Sequence, residues 1–250
     1  ILDVSINHTG SAHKWFNKEG IFFDKSIGAY NNPDALERSY YFFGENNAYK
    51  SWWDVDTLPT LNYTSDALRE ILYRGENSLV KKWLKPPFCT DGWRFDVADV
   101  MARNDEYQLH HDVWPELVDS IKNTKQDAYV VAEEWGDCAE FLQGNEWDTP
   151  MNYYGCARPV REYVGEHDLF LVREEVVRKT KPNQSAKALA TRIRQHLGKM
   201  PFALQQVQFN LLDSHDASRL HNNPEISWEA TKVAITILFT LPGMPSIYYG

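Results

Sequence analysis

Short apolar runs alternate along the chain with longer segments of helical character. Apolar runs of strand length lie at residues 1–6, 92–97, 129–132, 151–153, 207–212 and 246–249. Apolar residues recur at helical spacing in residues 65–85, with a break at Gly75, and in residues 113–121 and 228–240. Residues 172–199 form a long polar region that is also predicted to be helical. Strands that alternate with helices indicate a parallel sheet, either closed into a barrel or doubly wound. The pattern therefore predicts an α/β fold with six strands.

Residues 11–61 interrupt this alternation. They separate the first strand from the first helix, whereas an ordinary connection has about 2 to 6 residues. The segment is rich in Asn, Tyr, Phe and Trp. A stretch of this length is too long to be an ordinary connection between a strand and a helix.

Composition and charge narrow the class of protein. The chain has 250 residues, of which 43% are hydrophobic, enough for one large α/β catalytic domain. Its net charge of −9, with no basic cluster, disfavours nucleic acid as a partner and favours a neutral substrate. No apolar run approaches the roughly 18 to 20 residues of a membrane helix, so no membrane partner is expected. The three cysteines, an odd number without close pairing or zinc-ligand spacing, predict reduced thiols in a cytoplasmic protein.

Polar side chains gather at the ends of four of the apolar runs. The segments are DVSINHTG at residues 3–10, DGWRFDVAD at 91–99, VVAEEWGD at 130–137 and LLDSHDASR at 211–219. Residues two apart in a strand point the same way, so Arg94 and Asp96 are expected on one side of the sheet. A guanidinium group at that distance favours the ionised form of the carboxylate. The arrangement predicts a pocket at the tips of successive strands.

In this order, the four segments resemble the four signature regions of the α-amylase family of glycoside hydrolases. The final PGMPSIYYG at residues 242–250 resembles that family's eighth barrel strand. The resemblance implies a (β/α)8 TIM barrel in which residues 1–10 hold the third strand, residues 11–61 correspond to the small domain B that walls the substrate cleft, and residues 62–250 supply strands four to eight. Because six strands are counted and the barrel needs eight, we expect a fragment of a longer enzyme that covers strands three to eight.

The resemblance also assigns catalytic roles. It implies that Asp96 is the nucleophile, Glu133 the general acid and base, and Asp216 the third acid of the site. From the bare sequence Glu134 competes with Glu133, but the match of AYVVAEEWGD places the catalytic glutamate first. The two working carboxyl groups need opposite environments, since Glu133 must carry a proton while Asp96 stays ionised.

Six further residues are expected to bind the sugar. The resemblance implies that His8 contacts a primary hydroxyl group and that His215, beside Asp216, holds neighbouring hydroxyls. Aromatic faces stack on the apolar faces of sugars, which favours the tryptophans of the inserted segment and of a strand tip. The expected binding residues are His8, Arg94, His215, Trp52, Trp53 and Trp135.

Several stretches resemble one subgroup of the family. SWWDVDTLPTLNY at residues 51–63 and the following REILYRGENSLVKKWLKPPFCTDGWRFDV at 69–97 look most like maltodextrin glucosidase, neopullulanase and cyclomaltodextrinase. This implies retaining hydrolysis of α-1,4 bonds in short maltodextrins or cyclodextrins through a covalent glycosyl-enzyme. One departure is Val100, where many members carry His or Glu. The sequence therefore does not decide which side chains contact the leaving sugar. A transglycosylase with the same acids and a non-catalytic scaffold are the alternatives.

No cofactor or metal is expected for catalysis. Asn7 resembles a residue that ligates structural calcium in many α-amylases, but the other ligands are not identifiable, so hydrogen bonding is the preferred role. The expected partner is a small oligosaccharide. A homodimer formed through an N-terminal domain outside this sequence is a further expectation from the subgroup.

Overall fold

The structure is a computed structural model that describes residues 1–167 and 181–249. The chain divides into two compact units, residues 1–130 and 131–250. The strands of the described residues are β1 (Leu2–Ser5), β2 (Gly92–Asp96), β3 (Tyr129–Ala132), β4 (Thr149–Pro150), β5 (Phe209–Leu211) and β6 (Met244–Ser246). The α-helices are α1 (Asp66–Arg69), α2 (Leu79–Leu84), α3 (His110–Thr124), α4 (Arg158–Tyr163), α5 (Ala186–Leu197), α6 (Phe202–Gln205) and α7 (Trp228–Thr240). Among the described residues, no helix has both the length and the apolar character needed to cross a membrane.

The first unit is built around β2. This strand pairs in parallel with β1, with Leu2 opposite Trp93 and Ser5 opposite Asp96. Trp93 and Phe95 are both buried, and Phe95 meets Trp114 of α3 edge-on with ring centroids 5.1 Å apart. Both faces of β2 are buried from Gly92 to Phe95, and the charged Arg94 is enclosed with its apolar neighbours.

Gly92 lets the backbone of β3 approach the start of β2. Its φ is +147°, and a Cβ atom there would lie 2.1 Å from the carbonyl oxygen of Tyr129. Tyr129 donates its backbone N–H to Asp91 at 2.8 Å. Only glycine fits this conformation and this contact, so Gly92 sets where β2 begins.

Residues 11–61 form no regular sheet and no helix longer than five residues. Their centre is Phe16, which is fully buried and whose ring contacts Tyr30, Tyr41, Phe43 and Tyr49 at centroid distances of 4.8 to 5.8 Å. A single antiparallel bridge, His8 with Thr60, attaches the end of the segment to the chain that follows β1, and a second bridge, Tyr41 with Leu61, lies within the segment. An aromatic cluster thus takes the place of regular structure.

In the second unit, the end of β3 pairs in parallel with β4 and β5 pairs in parallel with β6. Met151, directly after β4, bridges to Phe209 of β5. The helices α4 and α7 pack with the strand ends around one apolar cluster. Its buried members are Cys156, Val160, Val164, Leu212, Leu220, Ile226, Ala234 and Leu238.

Four of the six predicted strands lie where they were expected, and the other two predictions were misplaced. The strand placed at 151–153 is Thr149–Pro150, because Asn152 Oδ1 accepts the N–H of Gly155 at 2.9 Å and starts a helical turn, Tyr153–Ala157. The strand placed at 246–249 is Met244–Ser246, where the Met244 N–H donates to Gln208 O at 2.8 Å.

The helix boundaries were partly right. The predicted break at Gly75 is confirmed, since Glu70–Arg74 is a π-helical turn and α2 restarts at Leu79. Of the helix predicted for 172–199, α5 covers Ala186–Leu197, and residues 172–180 lie outside the described part. Ser185 Oγ accepts the Ala188 N–H at 3.4 Å and caps the start of α5.

Candidate active site

Arg94 connects the ends of β1 and β2. Its Nη1 donates to Asp96 Oδ1 at 2.7 Å and to Asp3 Oδ1 and Oδ2 at 2.9 and 3.1 Å. The expected placement of Arg94 and Asp96 on one side of the strand is confirmed. Asp3 was missed as a site residue, although the parallel register that sets it opposite Arg94 explains the contact. Arg94 is only 8% exposed, whereas the side chains of Asp96 and Asp3 are 31% and 63% exposed.

The backbone turns sharply after Asp96. Val97 adopts a left-handed conformation, with φ 52° and ψ 43°, and is buried. This conformation is costly for a β-branched residue, by about 1 to 3 kcal/mol, and such strain persists where surrounding structure imposes it. The turn ends β2 at the carboxylate and leads into the short helical turn Ala98–Val100.

Asp99 is a second acid in this turn. Burial raises the pKa of its carboxyl group, and backbone hydrogen bonds oppose the rise. Its backbone carbonyl accepts from Arg103 Nη1 at 3.2 Å. Val100, the departure from the family pattern, lies at the end of the same turn and is partly exposed.

His8, Trp52 and Trp53 form a stack of three rings. His8 lies on Trp52 with centroids 5.2 Å apart and planes at 13°, and Trp52 lies on Trp53 at 5.0 Å and 20°. Trp53 is 80% exposed, so its outer face is available to a flat ligand. A left-handed turn at Trp53 and Asp54, with φ of 52° and 57°, holds the second indole outward.

His8 is oriented by its neighbour Asn7. The Asn7 Nδ2 lies 3.2 Å from His8 Nδ1, and an amide nitrogen can only donate, so Nδ1 accepts and the neutral ring carries its proton on Nε2. Burial lowers the pKa of His8, and the charge of Asp96 opposes this. The Asn7 contact therefore leaves the Nε2–H of His8 as the donor of the ring.

In the second unit, Glu133 and Glu134 follow β3 directly. Trp135 Nε1 approaches Glu133 Oε1 at 3.5 Å. Glu134 instead turns back on its own loop, where its Oε1 accepts the N–H of Gly136. This local hydrogen bond gives Glu134 a structural role in the turn.

Trp135 also connects to the loop after β5. Its ring stacks on Tyr153 at 3.7 Å and 4°, which covers one indole face. The Tyr153 hydroxyl donates to Ser214 Oγ at 2.7 Å, and the same Oγ accepts the N–H of Asp216 at 3.1 Å. Sequence reasoning did not assign Tyr153 and Ser214 to the site; the signal was Ser214 beside the acidic motif.

His215 and Asp216 are adjacent and accessible. His215 Nε2 lies 3.1 Å from Asp216 Oδ2, and the two side chains are 55% and 43% exposed. A carboxylate and an imidazole in this arrangement offer paired acceptors and donors to vicinal hydroxyl groups. The first unit thus gathers Arg94, Asp96, His8, Trp52 and Trp53, and the second gathers Glu133, Trp135, His215 and Asp216.

Comparison with known proteins gives one consistent result. Residues 1–250 match the family model described as alpha amylase, catalytic domain. The intracellular maltogenic amylase of Bacillus subtilis (strain 168) is 28% identical over 262 residues, covering 100% of this chain and 37% of the relative. A cyclomaltodextrinase of a Bacillus species is 26% identical over 270 residues, covering 100% and 39%.

A solved structure agrees. The debranching enzyme of Nostoc punctiforme matches with a TM-score of 0.78 and 28% identity, over 100% of this chain and 49% of that one. The shared fold is of the (β/α)8-barrel type. The chain spans less than half the length of each of these three relatives.

Proposed function

Because the chain belongs to the alpha-amylase family, we propose that it is a retaining α-glycoside hydrolase that cleaves α-1,4 bonds of short maltodextrins or cyclodextrins. The observation that carries the proposal is the buried Arg94, which binds Asp96 at the end of β2. A cation at 2.7 Å orients one oxygen of that carboxylate and leaves the other to attack.

The reaction proceeds in two displacements. Asp96 attacks the anomeric carbon while the glycosidic C–O bond breaks and the proton of Glu133 passes to the leaving oxygen. A water molecule then gives a proton to Glu133 and attacks the same carbon, which breaks the ester bond to Asp96. Both displacements invert the anomeric carbon, so the product keeps the configuration of the substrate.

Asp216, His215 and His8 hold the sugar. The exposed acceptor oxygens of Asp216 suit hydroxyl groups next to the anomeric carbon, whose hydrogen bonds strengthen as the ring distorts. The Nε2–H of His8 suits an oxygen of the same sugar unit. Glu134 is not proposed as the acid, because its carboxylate is engaged by Gly136.

The tryptophans set the size of the substrate. The outer face of Trp53 offers a stacking platform that continues the ring stack from His8, and Trp135 offers the face that Tyr153 leaves uncovered. We propose that residues 11–61 are the inserted wall of the cleft and that the six strands are the third to the eighth of the barrel. Such a wall favours short chains over a polymer.

The names of the relatives support the subgroup and the compartment. One is a cyclomaltodextrinase and another an intracellular maltogenic amylase, which favours small maltodextrins and a cytoplasmic enzyme. No cofactor is proposed for the chemistry. The homodimer expected from the subgroup stays a prediction.

Product analysis with the full-length protein tests this proposal. Maltotriose should give glucose and maltose; longer products would instead show a transglycosylase, and no turnover would show a scaffold. Pullulan, which contains both α-1,4 and α-1,6 bonds, belongs in the panel because the Nostoc relative is named a debranching enzyme. Release of maltotriose, which retains no α-1,6 bond, would move the specificity to α-1,6 bonds.

Two isosteric variants control the assay. Asp96→Asn keeps the shape of the side chain and removes its charge, so turnover should be lost. Asp66→Asn, at an exposed acid bound to Arg74 at 2.8 Å, should leave turnover unchanged. Normal turnover in Asp96→Asn would exclude Asp96 as the nucleophile.

A further inference from the structure

Arg161 of α4 is a fully buried cation outside the proposed catalytic groups. Its Nε and Nη2 bind the two carboxylate oxygens of Glu166, the second at 2.9 Å. Its Nη1 donates to Leu212 O at 2.9 Å and also to Asp213 Oδ1. One guanidinium group thus joins a short segment after α4 to the end of β5.

Asp213 extends this contact across the loop that follows β5. The same Oδ1 that binds Arg161 accepts the backbone N–H of Leu220 at 2.9 Å. This oxygen therefore ties together the two ends of residues 213–220. Within the loop, Ser214 Oγ accepts the Asp216 N–H, and His215 and Asp216, like Ser218, are exposed to solvent.

Glu166 anchors the other side of the cation. Besides Arg161, its Oε1 accepts from Asn223 Nδ2 at 3.0 Å, just beyond the end of the same loop. Arg161, Glu166 and Asp213 together carry one positive and two negative charges. We call these three residues the Arg161 cluster.

Stability alone is a poor reason for such a cluster. Removing a guanidinium and two carboxylates from water is costly, and apolar side chains of similar volume often serve stability equally well or better. What an arginine adds is direction, because its planar fork fixes the angle and distance of each acceptor. Here the fixed acceptors are Leu212 O and Asp213 Oδ1, the first atoms of the loop that carries Asp216.

We propose that Arg161 is a positioning residue that acts through Asp213 to hold the His215–Asp216 segment in its sugar-binding arrangement. The catalytic consequence rests on the proposed function, whereas the structural consequence for the loop does not. Without the Arg161 cluster, Asp216 is still present, but the hydrogen bonds that hold the two ends of its loop are lost.

The test compares variants at Asp213 in the full-length protein. Asp213→Asn keeps an acceptor oxygen for Arg161 and Leu220, while Asp213→Ala removes it. Asp213 is partly exposed, so these variants avoid leaving a hole at the fully buried Arg161. Arg161→Met is the direct variant, and Arg192→Met, which breaks the Arg192–Glu162 ion pair in the same unit, is the matched control.

Hydrogen exchange gives a readout that needs no activity. In Asp213→Ala, exchange of the Leu220 amide should rise about tenfold to a hundredfold, the effect of losing one charge-assisted hydrogen bond. Asp213→Asn should raise it less, and Arg192→Met should not raise it. Unchanged exchange in a folded Asp213→Ala protein overturns the proposal.

Kinetics separate positioning from general support. Asp213→Ala should lower kcat on maltotriose by about tenfold or more, yet change it by less than about threefold in an Asp216→Asn background, because both act through one loop. Fully additive losses overturn the positioning role. Absence of turnover in the wild-type protein refutes the proposed function instead, and exchange at Leu220 then decides whether the cluster holds the loop.

Discussion

Replacing Arg94 by methionine should strongly lower the turnover of substrate. Methionine fills much of the same volume but offers no charge and no donor. In the structure it would remove the 2.7 Å bond to Asp96 and both bonds to Asp3. The two carboxylates would then face each other across the strand pair without a cation between them.

The magnitude follows from the exposure of each partner. A hydrogen bond to a charged group contributes about 1.5 to 3 kcal/mol. Asp3 has a side chain 63% exposed, so water screens its contact and it adds little. Asp96 is 31% exposed and keeps most of the interaction. Losing about 1.5 to 3 kcal/mol of support for the nucleophile corresponds to a fall in kcat of about 10-fold to 150-fold.

The assay is steady-state hydrolysis of maltotriose, with thermal unfolding to confirm that each variant is folded. Arg94→Lys keeps the charge but loses the planar geometry, so its kcat should lie between those of the wild type and Arg94→Met. Arg74→Met is the matched control, because Arg74 in the same unit also binds two carboxylates, Asp66 at 2.8 Å and Glu116 at 2.9 Å. A folded Arg94→Met enzyme with kcat within about twofold of the wild type would refute the role given to Arg94.

Four other outcomes are expected. Glu133→Gln should slow the hydrolysis of maltotriose far more than that of an aryl glycoside with an acidic leaving group, since only the leaving oxygen of the natural substrate needs a proton. Equal losses of rate on the two substrates would exclude Glu133 as the acid. Trp53→Ala should lower the rate per cleavable bond on maltotriose to maltoheptaose, relative to soluble starch, by about 2-fold to 12-fold, the equivalent of about 0.5 to 1.5 kcal/mol of stacking. An unchanged ratio would remove Trp53 from the site. Burial lowers the pKa of His8 below 6.5, so as the pH falls the unfolded chain binds a proton before the folded protein does, and His8 lowers the free energy of unfolding below about pH 6.5. In urea unfolding, His8→Gln should therefore lose less stability on acidification than the wild type. Equal losses of stability in the two proteins would contradict this. Gly92→Ala should lower the free energy of unfolding by more than about 4 kcal/mol in chemical denaturation, since its Cβ would meet the Tyr129 carbonyl oxygen at 2.1 Å. Gly44→Ala, whose Cβ would have no atom within 4 Å, should change the free energy of unfolding by less than about 0.5 kcal/mol. Similar changes for both variants would disprove the close approach.

The local periodicity of apolar residues was enough to predict much of the fold from the sequence. Four of the six strands, β1, β2, β3 and β5, could be placed because each lies in a short apolar run, and the side-chain alternation within β2 was enough to place Arg94 and Asp96 on one side. The break at Gly75 was visible for the same reason, since glycine interrupts a helical pattern locally. The order of the four polar segments was sufficient to identify the family.

Contacts between distant residues were beyond that analysis. Asp3 joined Arg94 only through the parallel register of β1 with β2, 91 positions apart in sequence. The ring stack on His8 depends on the aromatic cluster of residues 11–61 returning Trp52 to the end of β1. Such pairings have no periodic signature, because register and loop path are set by packing rather than by neighbouring residues.

The Arg161 cluster shows the limit most clearly. In the sequence, nothing distinguishes Arg161 from other charged residues, and no helix was predicted around it. Only the tertiary structure buries the guanidinium group and brings Asp213, 52 positions away, to its Nη1. The sequence alone determined which residues are chemically capable, and packing decided which of them are held in place, because the orientation of a buried charge depends on partners that are distant along the chain.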